Sequence, residues 1–309
     1  MNPPLVSICI PAYRADAFLA LTLAAVRRQT YPAWELILVE DGSADRTRAL
    51  VDAFAASVRQ PVRYLRHERN RGLPATRNTG IEAARGEWIA LLDSDDLWTP
   101  DHLDSLVTRS AAGDADLIHS GSLLFASDSG ELLGVRAPSA QMIADFPRSL
   151  FVADYIIQPA SVLLRRELWQ RVGGFDPAFR YVEDREMWLR CARAGARFAY
   201  TGRDTCLYRR HATALSTHAS AMAEAAAAVF DKHLDWDAIP LALRQRFASE
   251  TWASAGRISQ RADPARGRRA FQRACTISWR LDWWLRGAAC ALWSAVRPAP
   301  APSRLIVSP

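Results

Sequence analysis

Six mostly apolar residues, Glu87-Trp88-Ile89-Ala90-Leu91-Leu92, run directly into Asp93-Ser94-Asp95-Asp96. A short apolar run of this kind reads as a strand buried on both faces. In an open α/β sheet the ligand crevice lies beyond the carboxyl ends of the strands. The three carboxylates therefore fall where a ligand would bind. Three acids within four residues repel one another unless positive charge separates them. A hard divalent cation with oxygen ligands is one answer. A solvated acidic turn, followed by a helix capped near Thr99-Pro100-Asp101, is the plainer alternative.

The same pattern recurs upstream. Leu5 to Ile10 reads as a strand that Pro11 stops, and Phe18, Leu19, Leu23 and Val26 carry helical spacing within 16–30. Trp34 to Val39 is a second strand, also ending in acid at Glu40-Asp41-Gly42-Ser43. A helix over 45–58 follows, with Ser43 or Asp45 as its cap. Val62 to Leu65 is a third strand, and Asn70 to Asn78 opens a helix that runs to Ala84. Strand and helix alternating at this spacing predict parallel βαβ units and a doubly wound, mostly parallel α/β sheet with helices on both faces.

Past Asp96 the spacing predicts a helix over 100–112, a strand over 115–119 and a hairpin over 121–136 turning at Asp128-Ser129-Gly130. A strand over 161–164 and a helix over 166–172, stopped by Gly173-Gly174, come next. A helix over 183–194 and short strands over 197–200 and 205–209 complete this part, while 137–160 gives no clear pattern. From 217 the chain reads as helical, with breaks at Pro240, Pro264 and Gly267 and a stiff linker over 298–303. The division is thus a domain over 1–216 and a helical, Arg- and Trp-rich extension over 217–309.

With 309 residues, half of them hydrophobic, the chain can build one core plus an extension, or two domains. Five widely spaced cysteines with no C-x-x-C fit a reduced, cytosolic protein rather than a disulfide frame or zinc site. No basic n-region precedes the first apolar run, so no signal peptide is expected. No uncharged run approaches the ~20 residues of a spanning helix.

The net charge of +6 is unevenly placed. Residues 240–309 hold twelve Arg against Glu250, Asp263 and Asp282, a balance of +9 that leaves −3 for the rest. The same stretch holds five of the eleven Trp. Phe271, Ile277, Leu281, Leu285, Ala288, Leu292 and Val296 fall at near-helical spacing, with Arg269, Arg273 and Arg280 on another face. One reading is a packed helical appendage. The other is an interfacial helix on an anionic membrane, a peripheral contact on the inner face of the cell membrane. No nucleic-acid module accompanies the charge, so no nucleic-acid partner is expected.

Carboxylates at the ends of two strands of one sheet would share a crevice. The first could accept the N–H of a base, and the second cluster could hold a metal against a diphosphate. The chain has no G-x-x-x-x-G-K-[ST], and no G-x-G-x-x-G after its first strand, which disfavours the usual NTPase and dinucleotide sites. Glu183-Asp184 opens a helix. Its acids either complement the helix dipole or supply a general base across the crevice.

Six motifs in order carry a family resemblance: Val6-Ser7-Ile8-Cys9-Ile10-Pro11-Ala12-Tyr13; Val39-Glu40-Asp41-Gly42-Ser43; Asn70-x-Gly72 with Ala75-x-Arg77-Asn78-x-Gly80; Leu92-Asp93-Ser94-Asp95-Asp96; Gly173-Gly174-Phe175-Asp176; and Glu183-Asp184 with Trp188. Over residues 5–216 the chain resembles a family-2 inverting glycosyltransferase of the GT-A fold. The resemblance implies a sugar moved from a nucleotide-sugar donor, a UDP-sugar by expectation, to a hydroxyl of a glycan or glycolipid acceptor in cell-surface polysaccharide synthesis. It implies nucleotide contacts at Pro11, Tyr13, Asp41, Arg77, Asp93 and Ser94, with Asp41 reading the base. It implies Mn²⁺ or Mg²⁺ on Asp95, Asp93 and His211, a donor and acceptor loop at Gly173 and Gly174, and Asp184 as catalytic base with Glu183 towards the acceptor. Glu40 stands where the family often has Asp, a mild departure. The alternatives are a sugar-nucleotide nucleotidyltransferase, whose glycine-rich segment after the first strand is not present at Pro11-Ala12-Tyr13-Arg14, and a catalytically silent binding protein on the same fold.

Overall fold

A computed structural model describes residues 3–212 and 217–296. The expected linker over 298–303 lies outside the described residues. The chain divides into two compact units, Met1–Thr217 and His218–Pro309.

The first unit is a nine-stranded sheet. Its centre is β1 (Val6–Ala12), flanked by β2 (Trp34–Glu40) and β4 (Trp88–Leu91), with β3 (Val62–Arg66) outside β2. These four strands are all parallel. Every residue of β1, β2 and β4 is buried, as their mostly apolar runs require. On one face Ile8, Ile10, Leu36, Leu38 and Ala90 share a core with Leu19, Leu23 and Val26 of α1 (Leu19–Arg27) and with Val51 and Phe54 of α2 (Thr47–Ala55). Each such aliphatic or aromatic side chain stabilises the fold by about 1.5–3 kcal/mol. On the opposite face α3 (Leu73–Glu82) comes close at Gly80, where a Cβ would already touch Val39 Cγ2 at 3.4 Å and Cys9 Cβ at 3.6 Å. The polar groups buried at the far end of these strands are paired. Ser7 Oγ donates to Glu35 Oε1 (2.7 Å) and accepts from Gly86 N–H (2.8 Å), and Glu35 also accepts from Arg85 N–H (2.7 Å).

The unbroken run of parallel pairs ends at β4. β8 (Val162–Arg165) runs antiparallel to β4, and β6 (Leu117–Ala126) antiparallel to β8. β9 (Phe198–Arg210) then lies parallel to β6, β5 (Leu97–Trp98) antiparallel to β9, and β7 (Leu132–Arg136) antiparallel to β6. The sheet is therefore mixed: parallel across β3, β2, β1 and β4, antiparallel on both sides of β8, and parallel again between β6 and β9. The two short strands expected over 197–200 and 205–209 are one strand of 13 residues. Its register against β6 shifts on either side of Gly121, where a Cβ would stand 1.8 Å from Asp204 Oδ1. That irregularity interrupts the alternation that would mark one long strand.

Helices α4 (His102–Ser110), α5 (Ala140–Ala144), α6 (Arg148–Phe151), α7 (Arg166–Val172) and α8 (Glu183–Arg193) complete the unit. Of the two caps expected for α2, Asp45 accepts from Thr47 N–H at 3.0 Å, whereas Ser43 instead donates to Glu40 Oε1 at 3.1 Å. Gly173 ends α7 in the left-handed region at φ +82°, as its place in the sequence predicts.

The second unit holds α9 (Ala219–Lys232), α10 (Leu241–Ser259), α11 (Pro264–Ile277) and α12 (Leu281–Val296). Phe271, Ala274, Ala253, Trp283 and Cys290 form its core. Pro240 and Pro264 begin helices, and Asp263 caps α11 by accepting from Arg266 N–H at 2.9 Å. Gly267 lies inside α11 and does not break it. A Cβ there would stand 2.8 Å from Gln260 Cα, so the glycine admits a close backbone approach. The apolar series expected from Phe271 to Val296 is split by the non-helical Ser278–Arg280, with Phe271 buried in α11 and Leu281, Leu285 and Leu292 exposed on α12. Among the described residues no helix is long and apolar enough to cross a membrane.

Candidate active site

The site lies at the carboxyl ends of β1, β2 and β4. Asp41 follows β2, and its N–H donates to Ala12 O of β1 at 2.8 Å, setting the end of β2 beside Pro11-Ala12-Tyr13. Asp41 is 3% exposed. Its Oδ1 accepts from His67 Nδ1 (2.7 Å) and Arg71 N–H (2.8 Å), and its Oδ2 accepts from Gly72 N–H (2.8 Å). A carboxylate has about four acceptor sites, so about one remains for an external N–H. Burial alone would raise the Asp41 carboxyl, but the bonds from Arg71, His67 and Gly72 together hold it below the ordinary value. Gly42 explains how the 69–72 loop comes so near. Its φ is +72°, and a Cβ would stand 2.6 Å from Arg69 C. The Asp-Gly pair thus grips one loop, the acid by hydrogen bonds and the glycine by leaving room. Tyr13 is 45% exposed and carries Arg14 over its ring at 5.2 Å.

The acids after β4 diverge. Asp93 Oδ1 accepts from Arg77 Nη2 at 2.6 Å, Asp95 Oδ2 meets His211 Nε2 at 2.9 Å, and Asp96 Oδ1 accepts from Arg209 N–H at 2.8 Å. Three acids that would repel in sequence are thus held apart by three different partners. Asp96 is 2% exposed, and burial with the charges of Asp95 and Asp93 pushes it well above the ordinary carboxylate range. The β5–β9 pairing, Leu97 opposite Leu207, brings Arg209 and His211 alongside this turn. Arg209 Nε also donates to Asp95 O at 2.7 Å, and Thr22 Oγ1 lies 3.0 Å from Ser94 O and 2.9 Å from Asp96 O. Ser94 is therefore held by its backbone. A recess of about 480 Å³, lined by Ser127, Asp128, Arg210, His211 and Ala212, opens beside His211.

Arg77 departs from its expected place facing a nucleotide. The side chain is 1% exposed and donates to both Asp93 and Glu183. Its guanidinium lies 5.4 Å over the Phe175 ring, and burial works against its charge while Asp93 and Glu183 outweigh it. The adjacent Asn78 accepts from Phe175 N–H (2.8 Å) and donates to Phe175 O (2.7 Å). Gly174 packs on the same amide, where a Cβ would stand 2.9 Å from Asn78 Oδ1. Gly173 faces open space. Arg77-Asn78 therefore fastens the strand-end acids to the Gly173–Phe175 turn and to the start of α8. The sequence assigns no role to His67, Asn78 or Arg209, although Asn78 lies within the third motif; their partners lie across the fold.

At the start of α8, Glu183 is buried against Arg77 and Asp184 is half-buried. Arg185 N–H donates to Asp184 Oδ1 at 2.7 Å. Burial raises the Asp184 carboxyl; Arg77 opposes this, and the charge of Asp93 adds to it, so Asp184 and Asp93 feel one another across the site. Burial raises Glu183 as well, against Arg77. The Glu183 contact goes beyond complementing the helix dipole.

A divalent ion was expected on Asp93, Asp95 and His211. Among the described residues no three metal-ligating side chains converge. The Asp95–His211 separation of 2.9 Å does match the ~3.0 Å between neighbouring ligands of an octahedral ion with bonds near 2.1 Å. The pair fits a half-site that substrate phosphate oxygens would complete.

A strand order of 3-2-1-4 with acids at the ends of β2 and β4, and a third acidic pair opening α8, is the architecture of the GT-A fold. The Glycosyl transferase family 2 model matches residues 7–168, over half of the sequence, and the chain belongs to that family. It is a transferase. The Bacillus subtilis protein EpsH is 34% identical over 153 residues, 49% of this chain and 43% of EpsH. The Escherichia coli UDP-Glc:alpha-D-GlcNAc-diphosphoundecaprenol beta-1,3-glucosyltransferase WfgD is 37% identical over 108 residues, 35% of this chain and 42% of WfgD. The chain thus spans less than half the length of either relative. The mannosyltransferase PcManGT from Pyrobaculum calidifontis, in complex with GDP-Man and Mn²⁺, superposes with a TM-score of 0.62 at 20% identity, over 96% of this chain and 82% of that one. That likeness is one of fold.

Proposed function

We infer that the first unit transfers a sugar from a UDP-sugar to a hydroxyl of a lipid-linked or glycan acceptor, with inversion, in cell-surface polysaccharide synthesis. The observation that carries this reading is Arg77, a single buried cation joining the donor-side acid Asp93 to Glu183, next to the candidate base Asp184. The last acceptor site of Asp41 takes the N–H of the base, with Pro11 and Tyr13 beside it. Asp95 and His211 would hold the divalent ion, Mn²⁺ or Mg²⁺. Bound there, the ion would stabilise charge on the departing diphosphate. Asp184, raised by burial, takes the proton of the acceptor hydroxyl as that oxygen attacks the anomeric carbon from the side opposite the leaving group. One base and one displacement invert the centre. Gly173 leaves the turn beside α8 open to sugar and acceptor, while Gly174 seats that turn on Asn78.

UDP-glucose and a diphosphoundecaprenol-linked sugar in the name of WfgD support the donor and a lipid-linked acceptor. Five widely spaced cysteines with no C-x-x-C fit a reducing, cytoplasmic location. The test is transfer from a panel of UDP-sugars by wild type and Asp184→Asn. Removal of a general base is expected to lower kcat by ~10²–10⁴-fold with donor affinity unchanged. A loss under tenfold would assign the base elsewhere, with Glu183 next.

A further inference from the structure

The helix α12 is apolar on two opposite sides. At 3.6 residues per turn, Trp283, Gly287 and Cys290 fall on one side, and all three are buried. Leu281, Trp284, Leu285 and Leu292 fall on the other, and they are 55%, 55%, 53% and 71% exposed. Trp279, just before the helix, and Trp293 are 67% and 56% exposed. The core of this unit is already complete without them. Isolated exposed leucines are unremarkable in proteins, but a stripe of Leu and Trp along one helix, facing away from its own bundle, calls for an occupant.

Charge selects the occupant. Residues 218–309 hold twelve Arg and Lys232 against seven acids, a balance of +6 that equals the net charge of the whole chain. Several arginines are internally neutralised, Arg266 by Glu224 and Arg273 by Asp231. Arg257, Arg261, Arg268, Arg269 and Arg286 are exposed and make no ion pair among the described residues. Two copies of so basic a unit repel one another, whereas an anionic surface attracts it. Trp and Leu beside Arg is also the composition that seats a helix in the headgroup region of a bilayer, the rings at the interface and the guanidinium groups on phosphate.

We propose that the outward face of α12, with the unpaired arginines of the second unit, is a docking surface for an anionic lipid bilayer. The helix lies in the plane of the interface. The surface would hold the enzyme where a lipid-linked acceptor resides. The proposal stands on the second unit alone, and its assay needs no sugar transfer, so either reading can fail without the other.

The experiment is co-sedimentation of the full chain, without nucleotide, with vesicles of phosphatidylcholine alone or mixed in equal parts with phosphatidylglycerol. Wild type is expected to sediment with the mixed vesicles at low salt, to be released at high salt, and to ignore phosphatidylcholine. The doubly substituted Leu285→Glu, Leu292→Glu protein should lose at least about tenfold in partitioning. A second variant, Arg268→Gln with Arg286→Gln, alters only exposed side chains and should lose about fivefold per charge removed. The proposal is overturned if wild type stays in solution with the mixed vesicles, or if both variants sediment as it does. It is also overturned if sedimentation velocity shows a dimer that the Leu285→Glu, Leu292→Glu protein abolishes, which would assign the face to a second copy.

Discussion

Asp41 and the Asp93–Asp95 pair end strands that flank β1 on either side, yet the fold treats them in opposite ways. Asp41 is closed in by the chain's own donors, two of them backbone N–H groups of the 71–72 loop. Asp93 and Asp95 are each matched to one side chain, Arg77 and His211, and keep 22% and 34% of their own surface exposed. The first arrangement builds a wall. The second leaves acceptors open for something the chain does not supply. Acids at the end of a buried strand are thus not equivalent, and what separates them is how many donors the neighbouring loop brings.

The largest break in this comparison comes at Arg77. Arg77→Met leaves Asp93 and Glu183 without their shared cation, and removing one partner of a buried ion pair costs about 3–5 kcal/mol. Urea unfolding should show that loss, together with loss of transfer. A lysine cannot span two carboxylates as a guanidinium does, so Arg77→Lys should recover only part. A change below about 1 kcal/mol for Arg77→Met would mean that the two acids are held independently.

A smaller effect is expected at Asp41. Asp41→Asn keeps one acceptor oxygen and turns an amide N–H towards a donor, costing about 1–3 kcal/mol. The loss should depend on pH. The folded-state Asp41 carboxyl lies below its ordinary value of 3.8, so its contribution is fully present above that value and fades as pH falls through the depressed one. Wild type and variant should therefore converge in stability in acid. A difference that stays constant down to the acid transition would remove Asp41 from the account of the loop.

The sequence made the strands legible because each is a short apolar run with a turn behind it, and β1, β2 and β4 needed nothing else. It also marked Asp41, Asp93, Asp95 and Asp184, since acids at strand and helix ends stand out against apolar neighbours. Partners were not legible. His67, Asn78 and Arg209 are ordinary polar residues until β3, α3 and β9 bring them to the site. Arg77 misled for the same reason, because a helix position gives no sign of whether a guanidinium turns out to a ligand or in to two acids. The single long β9 was hidden because its register against β6 slips between Tyr200 and Asp204, where Thr201-Gly202-Arg203 interrupt the alternation that identifies a strand.

Under the proposed function, the open acids after β4, with His211, form a half-site that a divalent ion and a nucleoside diphosphate complete together. Calorimetric titration of UDP into the full chain, with and without Mn²⁺, tests it on wild type, Asp95→Asn and His211→Ala. The account predicts that Mn²⁺ tightens UDP binding to wild type by at least about tenfold, or 1.4 kcal/mol, and that either substitution removes most of that gain while metal-free binding is unchanged. Equal UDP affinity with and without Mn²⁺ in wild type, or a full gain retained by Asp95→Asn, would contradict it.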